Sequence, residues 1–222
     1  MKHVIYILLT LFLLASCQKE EYVGTPRGMG TLVLETLSVQ TENVNTVFTR
    51  AVEPDLYVEI WQNGQLLTGQ RYEPGKVPGK LDLPAGVYLL KTYNQAYQDM
   101  SGWLDTEKGN MAFSAEKDFE IESNKINYLS VEVPMVNIGV SLKLPEGFSD
   151  RFKDYHFTVQ FGNRSVEISN GETAYFPSSE VTYILSVTNN DGENKTNSKT
   201  IKSPVAGTMY EISYGYATKG LI

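Results

Sequence analysis

Short segments with a period of two recur along this chain from Gly30 to its end, and this pattern most constrains the fold. Between Leu56 and Trp61, aliphatic residues occupy every second position, and aromatic or acidic residues occupy the others. The same alternation recurs in segments 118–122, 137–144, 157–161, 181–187 and 210–216. Because successive side chains of a strand point to opposite faces, the pattern predicts antiparallel strands that cover a core on one side. The sequence therefore predicts an all-β protein.

Turn-forming residues separate these segments. Asn63-Gly64 lies between two strand-like runs and predicts a tight hairpin, since both central residues of that turn need a positive φ. Further turns are predicted at residues 84–86, 162–163 and 189–192. Only one stretch has helical spacing: Phe148, Phe152 and Tyr155 predict one or two turns of helix at the end of a sandwich.

The length allows one large sandwich or two of about 95 residues each. Two features favour two: Val133-Pro134-Met135 interrupts the strand pattern near the middle, and segment 86–94 resembles segment 181–189. Similar strand chemistry without duplication would produce the same likeness. We predict two tandem immunoglobulin-like or transthyretin-like β-sandwich domains. These domains span residues 30–134 and 135–222.

The N-terminus predicts a lipoprotein signal peptide over residues 1–16. Lys2 and His3 precede twelve almost wholly apolar residues, Val4–Ala15, a run too short to span a membrane as a helix. The next residues lead into the only cysteine of the chain, and Leu14-Ala15-Ser16-Cys17 resembles the bacterial lipobox. The resemblance implies cleavage before Cys17 and acylation of its sulfur. The alternative is an ordinary secretory signal with an incidental cysteine.

The residues after Cys17 bear on where the protein is displayed. Lys19, Glu20 and Glu21 lie in a short charged stretch that resembles the lipoprotein export signal of Bacteroidetes. This resemblance implies an outer-membrane lipoprotein that faces the cell exterior; the alternative is a solvated linker. Residues 17–29 are polar and contain glycine and proline, so we predict a flexible tether.

Composition excludes several function classes. With its one cysteine acylated, the mature chain has no thiol for a disulfide, a zinc site or a nucleophile. The formal net charge of −7 disfavours nucleic acid as a partner. The sequence contains no Gly-x-Ser-x-Gly nucleophile motif, no zinc-binding pair of histidines and no phosphate-binding glycine loop. His156 falls at a polar position of its alternating segment, where a surface residue is expected. We therefore predict no enzymatic activity and no cofactor.

One long connection, Tyr93–Met111, concentrates aromatic and polar residues. Long loops on rigid sandwiches commonly bind ligands, and an exposed aromatic ring can stack on the apolar face of a sugar. We predict Tyr97 and Trp103 as stacking residues, with Asp99 and Asp105 as polar contacts. The alternative is that Trp103 covers one end of a sandwich.

Five segments occur in the order typical of one family. They are 30–34, 56–60, 83–88, 136–140 and 152–159. On these segments the chain resembles a Bacteroidetes lipoprotein family catalogued as domain of unknown function 4493. The family implies a fold and a location but carries no catalytic motif. The predicted plan of this chain, a lipobox followed by two sandwiches, also resembles that of the fimbrillins of the same bacteria.

The fimbrillin resemblance gives Arg50 a second interpretation. In fimbrillins a strand before an arginine is removed by a surface protease, and the vacant groove accepts a strand from the next subunit. Arg50 follows a predicted strand at 31–39 and lies in a polar stretch. We therefore predict a non-catalytic surface lipoprotein that binds a glycan or a surface protein. The alternative is a fimbrial or accessory pilus subunit assembled by strand exchange.

Overall fold

The structure, a computed structural model, describes residues 28–40, 56–217 and 220–221. Most of these residues lie in β-strands, which confirms the all-β prediction. Within these ranges, the helices are all too short to cross a membrane. Cys17, Lys19, Glu20, Glu21 and Arg50 lie outside the described residues, so the structure leaves the predictions on them untested.

In the described ranges, the first sandwich contains seven strands. They are β1 Met29–Gln40, β2 Leu56–Gln62, β3 Gln65–Tyr72, β4 Leu81–Pro84, β5 Gly86–Asn94, β6 Ser114–Ile121 and β7 Ile126–Pro134. One sheet has the order β4-β1-β7, and the other has the order β3-β2-β5-β6. Strand β1 lies centrally in its sheet, because it pairs antiparallel with β4 and parallel with β7.

The second sandwich repeats this arrangement strand for strand. Its strands are β8 Asn137–Lys143, β9 Phe152–Phe161, β10 Arg164–Glu167, β11 Thr173–Pro177, β12 Val181–Asn189, β13 Asn194–Ile201 and β14 Met209–Ser213. The sheets have the orders β11-β8-β14 and β10-β9-β12-β13, and β8 pairs parallel with β14 as β1 does with β7. Two short strands, β15 Tyr216–Ala217 and β16 Gly220–Leu221, follow and pair antiparallel.

The strand order identifies the type of sandwich. With the strands of either unit lettered A to G, the sheets read D-A-G and C-B-E-F. This is the transthyretin-like order, whereas immunoglobulin constant domains have sheets A-B-E-D and C-F-G. The similar segments 86–94 and 181–189 form the equivalent strands β5 and β12. The likeness in sequence thus reflects a repeated architecture, while the domain boundary at Pro134 stays a prediction.

Each sandwich has its own hydrophobic core between its two sheets. Val58, Ile60 and Leu90 are fully buried in the first core, and Phe157 and Phe176 are fully buried in the second. Burial of one such side chain stabilises the fold by about 1.5–3 kcal/mol. With one cysteine in the whole sequence, these two cores rather than disulfides hold the strands together.

The turns confirm the prediction of a hairpin at Asn63-Gly64. These residues have φ values of 53° and 75°, and they join β2 to β3. Asparagine and glycine tolerate this left-handed backbone better than other residues do.

The predicted helix is shorter than expected, and a second helix was not predicted. Phe148–Asp150 is a single 3₁₀ turn, whereas Phe152 and Tyr155 lie in strand β9. The three rings still meet, because a turn followed by a strand brings Phe152 to 4.7 Å and Tyr155 to 5.6 Å from Phe148. An unpredicted helix, α1, spans Gln95–Asp99 inside the predicted loop, and a 3₁₀ turn at Met100–Gly102 follows it.

Candidate functional site

A row of planar side chains crosses the outer face of the sheet β3-β2-β5-β6. The guanidinium of Arg71 lies 5.9 Å from the ring centre of Tyr57. Tyr57 stacks on Tyr93 with ring centres 5.5 Å apart, and Tyr93 lies 6.0 Å from Tyr97. Tyr57 and Tyr93 are direct cross-strand partners, which explains their contact. Among the described residues, Tyr97 ends this row, and 41% of its surface is exposed.

Helix α1 places Tyr97 at the end of the row. Asn94, the last residue of β5, caps the helix by accepting a hydrogen bond from the Tyr97 backbone N–H at 3.1 Å. The Tyr57 hydroxyl donates to the side chain of Gln95 at 3.0 Å, and Gln95 donates to Asp99 at 2.9 Å. The structure therefore brings two predicted site residues, Tyr97 and Asp99, together on one helical turn beside the row.

A buried carboxylate lies beneath the rings. Glu59 is only 6% exposed although it points to the outer face of β2. Its Oε1 accepts from the Tyr93 hydroxyl at 2.6 Å and lies 3.4 Å from Nε of Arg71. Its Oε2 accepts from the indole N–H of Trp61 at 2.9 Å. Because a buried charge requires partners, this carboxylate fixes the positions of three side chains at once.

A second ion pair borders the same surface. Lys91 lies opposite Glu59 on β5, and its Nζ is 2.7 Å from Glu116 on β6. The same Nζ lies 4.8 Å from the ring centre of Trp61. We name this surface the aromatic face; it consists of Tyr57, Glu59, Trp61, Arg71, Lys91, Tyr93, Tyr97 and Glu116.

The environment keeps the Tyr93 hydroxyl protonated over a wide pH range. Burial, the largest cause, acts together with the hydrogen bond to Glu59 and the charge of Glu59 to raise the pKa of Tyr93 to about 12. Tyr93 is therefore a neutral hydrogen-bond donor at physiological pH, with its proton directed to the carboxylate.

The second sandwich provides an internal comparison. At the paired outer positions of β9, β12 and β13, the described side chains include no tyrosine, tryptophan or phenylalanine. Hydroxyl groups dominate instead: Thr182 bonds to Thr200 at 2.9 Å, and Ser186 bonds to Thr196 at 3.1 Å. Because the same architecture forms without aromatic residues there, the fold does not require those of the first sandwich.

The other two predicted residues, Trp103 and Asp105, lie against the second sandwich. The ring of Trp103 covers Gly109 so closely that a Cβ on Gly109 would lie 2.6 Å from it. The guanidinium of Arg164 lies 5.5 Å from the centre of the Trp103 ring. Asp105 accepts a hydrogen bond from the backbone N–H of Ser165 at 3.2 Å. Trp103 and Asp105 line a shallow cleft that is separate from the contacts of Tyr97 and Asp99.

Arg164 holds this part of the connection in place. Its guanidinium donates to the backbone carbonyls of Leu104 at 3.2 Å and Tyr175 at 2.9 Å, and also to that of Glu107. Its carbon Cζ also lies 4.7 Å from the ring centre of Phe176. The two charged side chains of the cleft, Asp105 and Arg164, are thus engaged in contacts between the two sandwiches.

Of the eight residues of the aromatic face, the sequence predicted only Tyr97 as a site residue. The seven others were missed: Tyr57, Glu59, Trp61, Arg71, Lys91, Tyr93 and Glu116. The sequence did contain a signal for this surface. Two aromatic residues of the segment Leu56–Trp61 occupy the alternate positions that face away from the core, where hydrophilic side chains are expected. Within the part of the chain that the structure describes, no three His, Cys, Asp or Glu residues group as metal ligands do.

Comparison with known proteins identifies one family. A family model described as "Domain of unknown function (DUF4493)" matches residues 28–221, in agreement with the resemblance stated from the sequence. No curated protein sequence matches this chain significantly.

Solved structures from Bacteroides resemble the chain in outline. A proposed cell adhesion protein of Bacteroides ovatus is 12% identical, with 88% of this chain and 95% of that chain covered and a TM-score of 0.48. Proposed polysaccharide-binding proteins (DUF1812) of Bacteroides thetaiotaomicron are 9% identical, with coverages of 86% and 92% and a TM-score of 0.48.

Proposed function

The chain belongs to the DUF4493 family, and we propose that it is a non-catalytic binding module on the cell surface that recognises a glycan or a protein. The aromatic face is the single observation that carries this proposal. A folded chain of the same architecture does not need it, as the second sandwich demonstrates. In this face Tyr97 is exposed, Tyr57 and Trp61 are half-buried, and Tyr93 is buried. Aromatic rings with a few oriented polar groups among them are typical of ligand-binding surfaces.

Tyr97 of this surface and Asp99 on the same helix are the proposed direct ligand contacts. Tyr97 is exposed and ends the row, so its ring is available for stacking. Asp99 is exposed on the same helical turn and can accept hydrogen bonds from a ligand. Trp103 and Asp105 contribute by fixing the connection that carries helix α1, since their contacts lie within the protein.

Binding can be tested with the mature protein on arrays of glycans and of cell-surface proteins. Tyr97→Ala should weaken binding by about thirtyfold, since truncation of an aromatic hot spot typically costs 2 kcal/mol or more. Tyr128→Ala is a matched control, because Tyr128 lies on β7 of the other sheet and is 63% exposed. Equal loss of binding in both variants would remove the aromatic face as the site.

Attachment to the membrane is a separate part of the proposal. We propose that acylated Cys17 anchors the protein in the outer membrane and that Lys19, Glu20 and Glu21 direct it to the outer surface. Two or three acyl chains suffice for stable anchoring, at about 0.8 kcal/mol per buried methylene. Metabolic labelling with a palmitate analogue should mark the wild type and leave Cys17→Ala unlabelled. Alanine at the three charged positions should remove protease accessibility on whole cells without lowering expression.

A structural role as a fimbrial or accessory pilus subunit is the second candidate. One observation favours it: β1, the strand before Arg50, lies between β4 and β7, so its removal would open a groove flanked by two strands. Leu32 of β1 is buried in the first core, so a replacement strand would have to bury an equivalent side chain. Mass spectrometry of the protein from cells tests this candidate. An N-terminus at Ala51 with polymer ladders on gels supports assembly, whereas an intact acylated Cys17 contradicts it.

A further inference from the structure

We propose, resting on the binding function above, that the aromatic face selects uncharged glycans over anionic glycans. The charges of this surface, and the groups that each charge already contacts, favour this class of ligand.

Every charged side chain in the aromatic face has a partner of opposite sign within it. Arg71 lies 3.4 Å from the buried Glu59, and Lys91 lies 2.7 Å from Glu116. These four charges sum to zero, and the exposed carboxylate of Asp99 on helix α1 adds negative charge next to them. An anionic ligand that recruited Arg71 would leave the carboxylate of Glu59 buried without its counter-charge, which is costly.

The two cations are also engaged with aromatic rings. Arg71 lies over Tyr57, and Lys91 lies over Trp61. Each of these cation–π contacts is favourable and would be lost if the cation moved to a carboxylate or sulfate. The chain as a whole is acidic, with a formal net charge of −7, so it also repels polyanions at longer range.

The groups that remain available suit hydroxyl-rich ligands without charge. Tyr97 offers a ring at the open end of the row, and Asp99 offers an exposed acceptor on the same short helix. Gln95, one turn before Asp99, accepts from the hydroxyl of Tyr57, donates to Asp99 and can exchange hydrogen bonds with a diol. A ring for stacking and neutral or acceptor groups for hydroxyls fit a neutral pyranose chain.

The test compares uncharged with anionic polysaccharides on the mature protein. Mannan, dextran, xylan and galactan are the uncharged probes, and polygalacturonate, alginate and heparin are the anionic probes. At least one uncharged probe should bind, with a Kd that changes less than twofold between 50 and 500 mM NaCl, since no counterions are released. Anionic probes should bind at least tenfold more weakly.

Variants of the protein test the location of the binding site independently of the class of ligand. Tyr97→Ala should weaken binding of the uncharged probe by about thirtyfold, whereas Tyr97→Phe and the control Tyr128→Ala should stay within threefold. Preference for an anionic probe, with steep loss of affinity in salt, would overturn this inference and leave the binding function intact. Binding of surface proteins alone would also overturn it. Failure of every glycan and protein to bind would overturn the proposed function itself.

Discussion

Oε1 of Glu59 accepts a 2.6 Å hydrogen bond from the hydroxyl of Tyr93, between two paired strands on the outer face of a sheet. An outer face normally leaves carboxylates in water, yet Glu59 is only 6% exposed. The second oxygen accepts from Trp61, and Arg71 supplies the counter-charge. One carboxylate thus organises the aromatic face, and its removal has consequences that can be measured.

Glu59→Ala should destabilise the protein by about 1–3 kcal/mol. The substitution removes the acceptor of two hydrogen bonds and leaves the buried hydroxyl of Tyr93 without a partner. Urea unfolding monitored by circular dichroism gives the free energy. Glu116→Ala is the matched control: it also breaks an ion pair of the aromatic face, but Glu116 is exposed, so it should cost less than about 1 kcal/mol. Equal effects would contradict the central role of Glu59.

The Tyr93 hydroxyl should titrate two units above an ordinary tyrosine. Burial and the adjacent Glu59 raise its pKa to about 12, against 10 for the free group. Since the folded state holds this proton more tightly, the resulting stability is fully present below pH 10 and is lost as the pH rises through 12. Absorbance of the phenolate at 295 nm, compared between wild type and Tyr93→Phe, isolates this group.

Glu59→Gln provides the control for that titration. It removes the negative charge, so the pKa of Tyr93 should fall toward 10 but stay above it, because burial is the largest cause. Tyr214, whose pKa burial also raises to about 12, should be unaffected because it belongs to the second sandwich. A shift of both groups would point to a general loosening of the fold instead.

Trp103→Ala should destabilise the protein by about 1–3 kcal/mol through lost packing on Gly109 and Arg164. Leu104→Ala is the neighbouring control, since Leu104 is 65% exposed and should stay within about 0.5 kcal/mol. Thermal and urea unfolding measure both variants. A stable Trp103→Ala protein that loses ligand binding would instead assign Trp103 to the ligand.

Gly30→Ala should destabilise the first sandwich by about 1–3 kcal/mol. A Cβ on Gly30 would lie 2.3 Å from the backbone oxygen of Glu122, which cannot move without shifting its strand connection. Gly79→Ala is the control, because nothing lies within 4 Å of its Cβ position. Gly139→Ala should fall between them: its Cβ would meet the flexible end of the Met209 side chain. Comparable stability of all three variants would contradict this packing.

The sequence predicted the strands, the hairpin at Asn63-Gly64 and the repeated unit, since alternation and positive-φ turn residues are local signals. It did not predict the buried state of Glu59. That state depends on Tyr93 and Arg71, which lie 34 and 12 positions away and meet Glu59 only through the pairing of β5 and β3 with β2. Helix α1 was missed because five residues carry too little periodicity.

The imidazole of His156 should titrate above pH 6.5. Its Nδ1 lies 2.7 Å from Oε1 of Glu167, and that hydrogen bond and charge, together with the charge of Asp154, raise its pKa. The associated stability is fully present below pH 6.5 and is lost as the pH rises through the raised pKa. Residues 17–222 contain no other histidine, so one NMR signal from a protein of this span reports the titration. Glu167→Gln should lower the pKa more than Asp154→Asn, since Asp154 lies 3.6 Å from Nε2 and makes the smaller contribution. The opposite ranking would contradict the observed geometry.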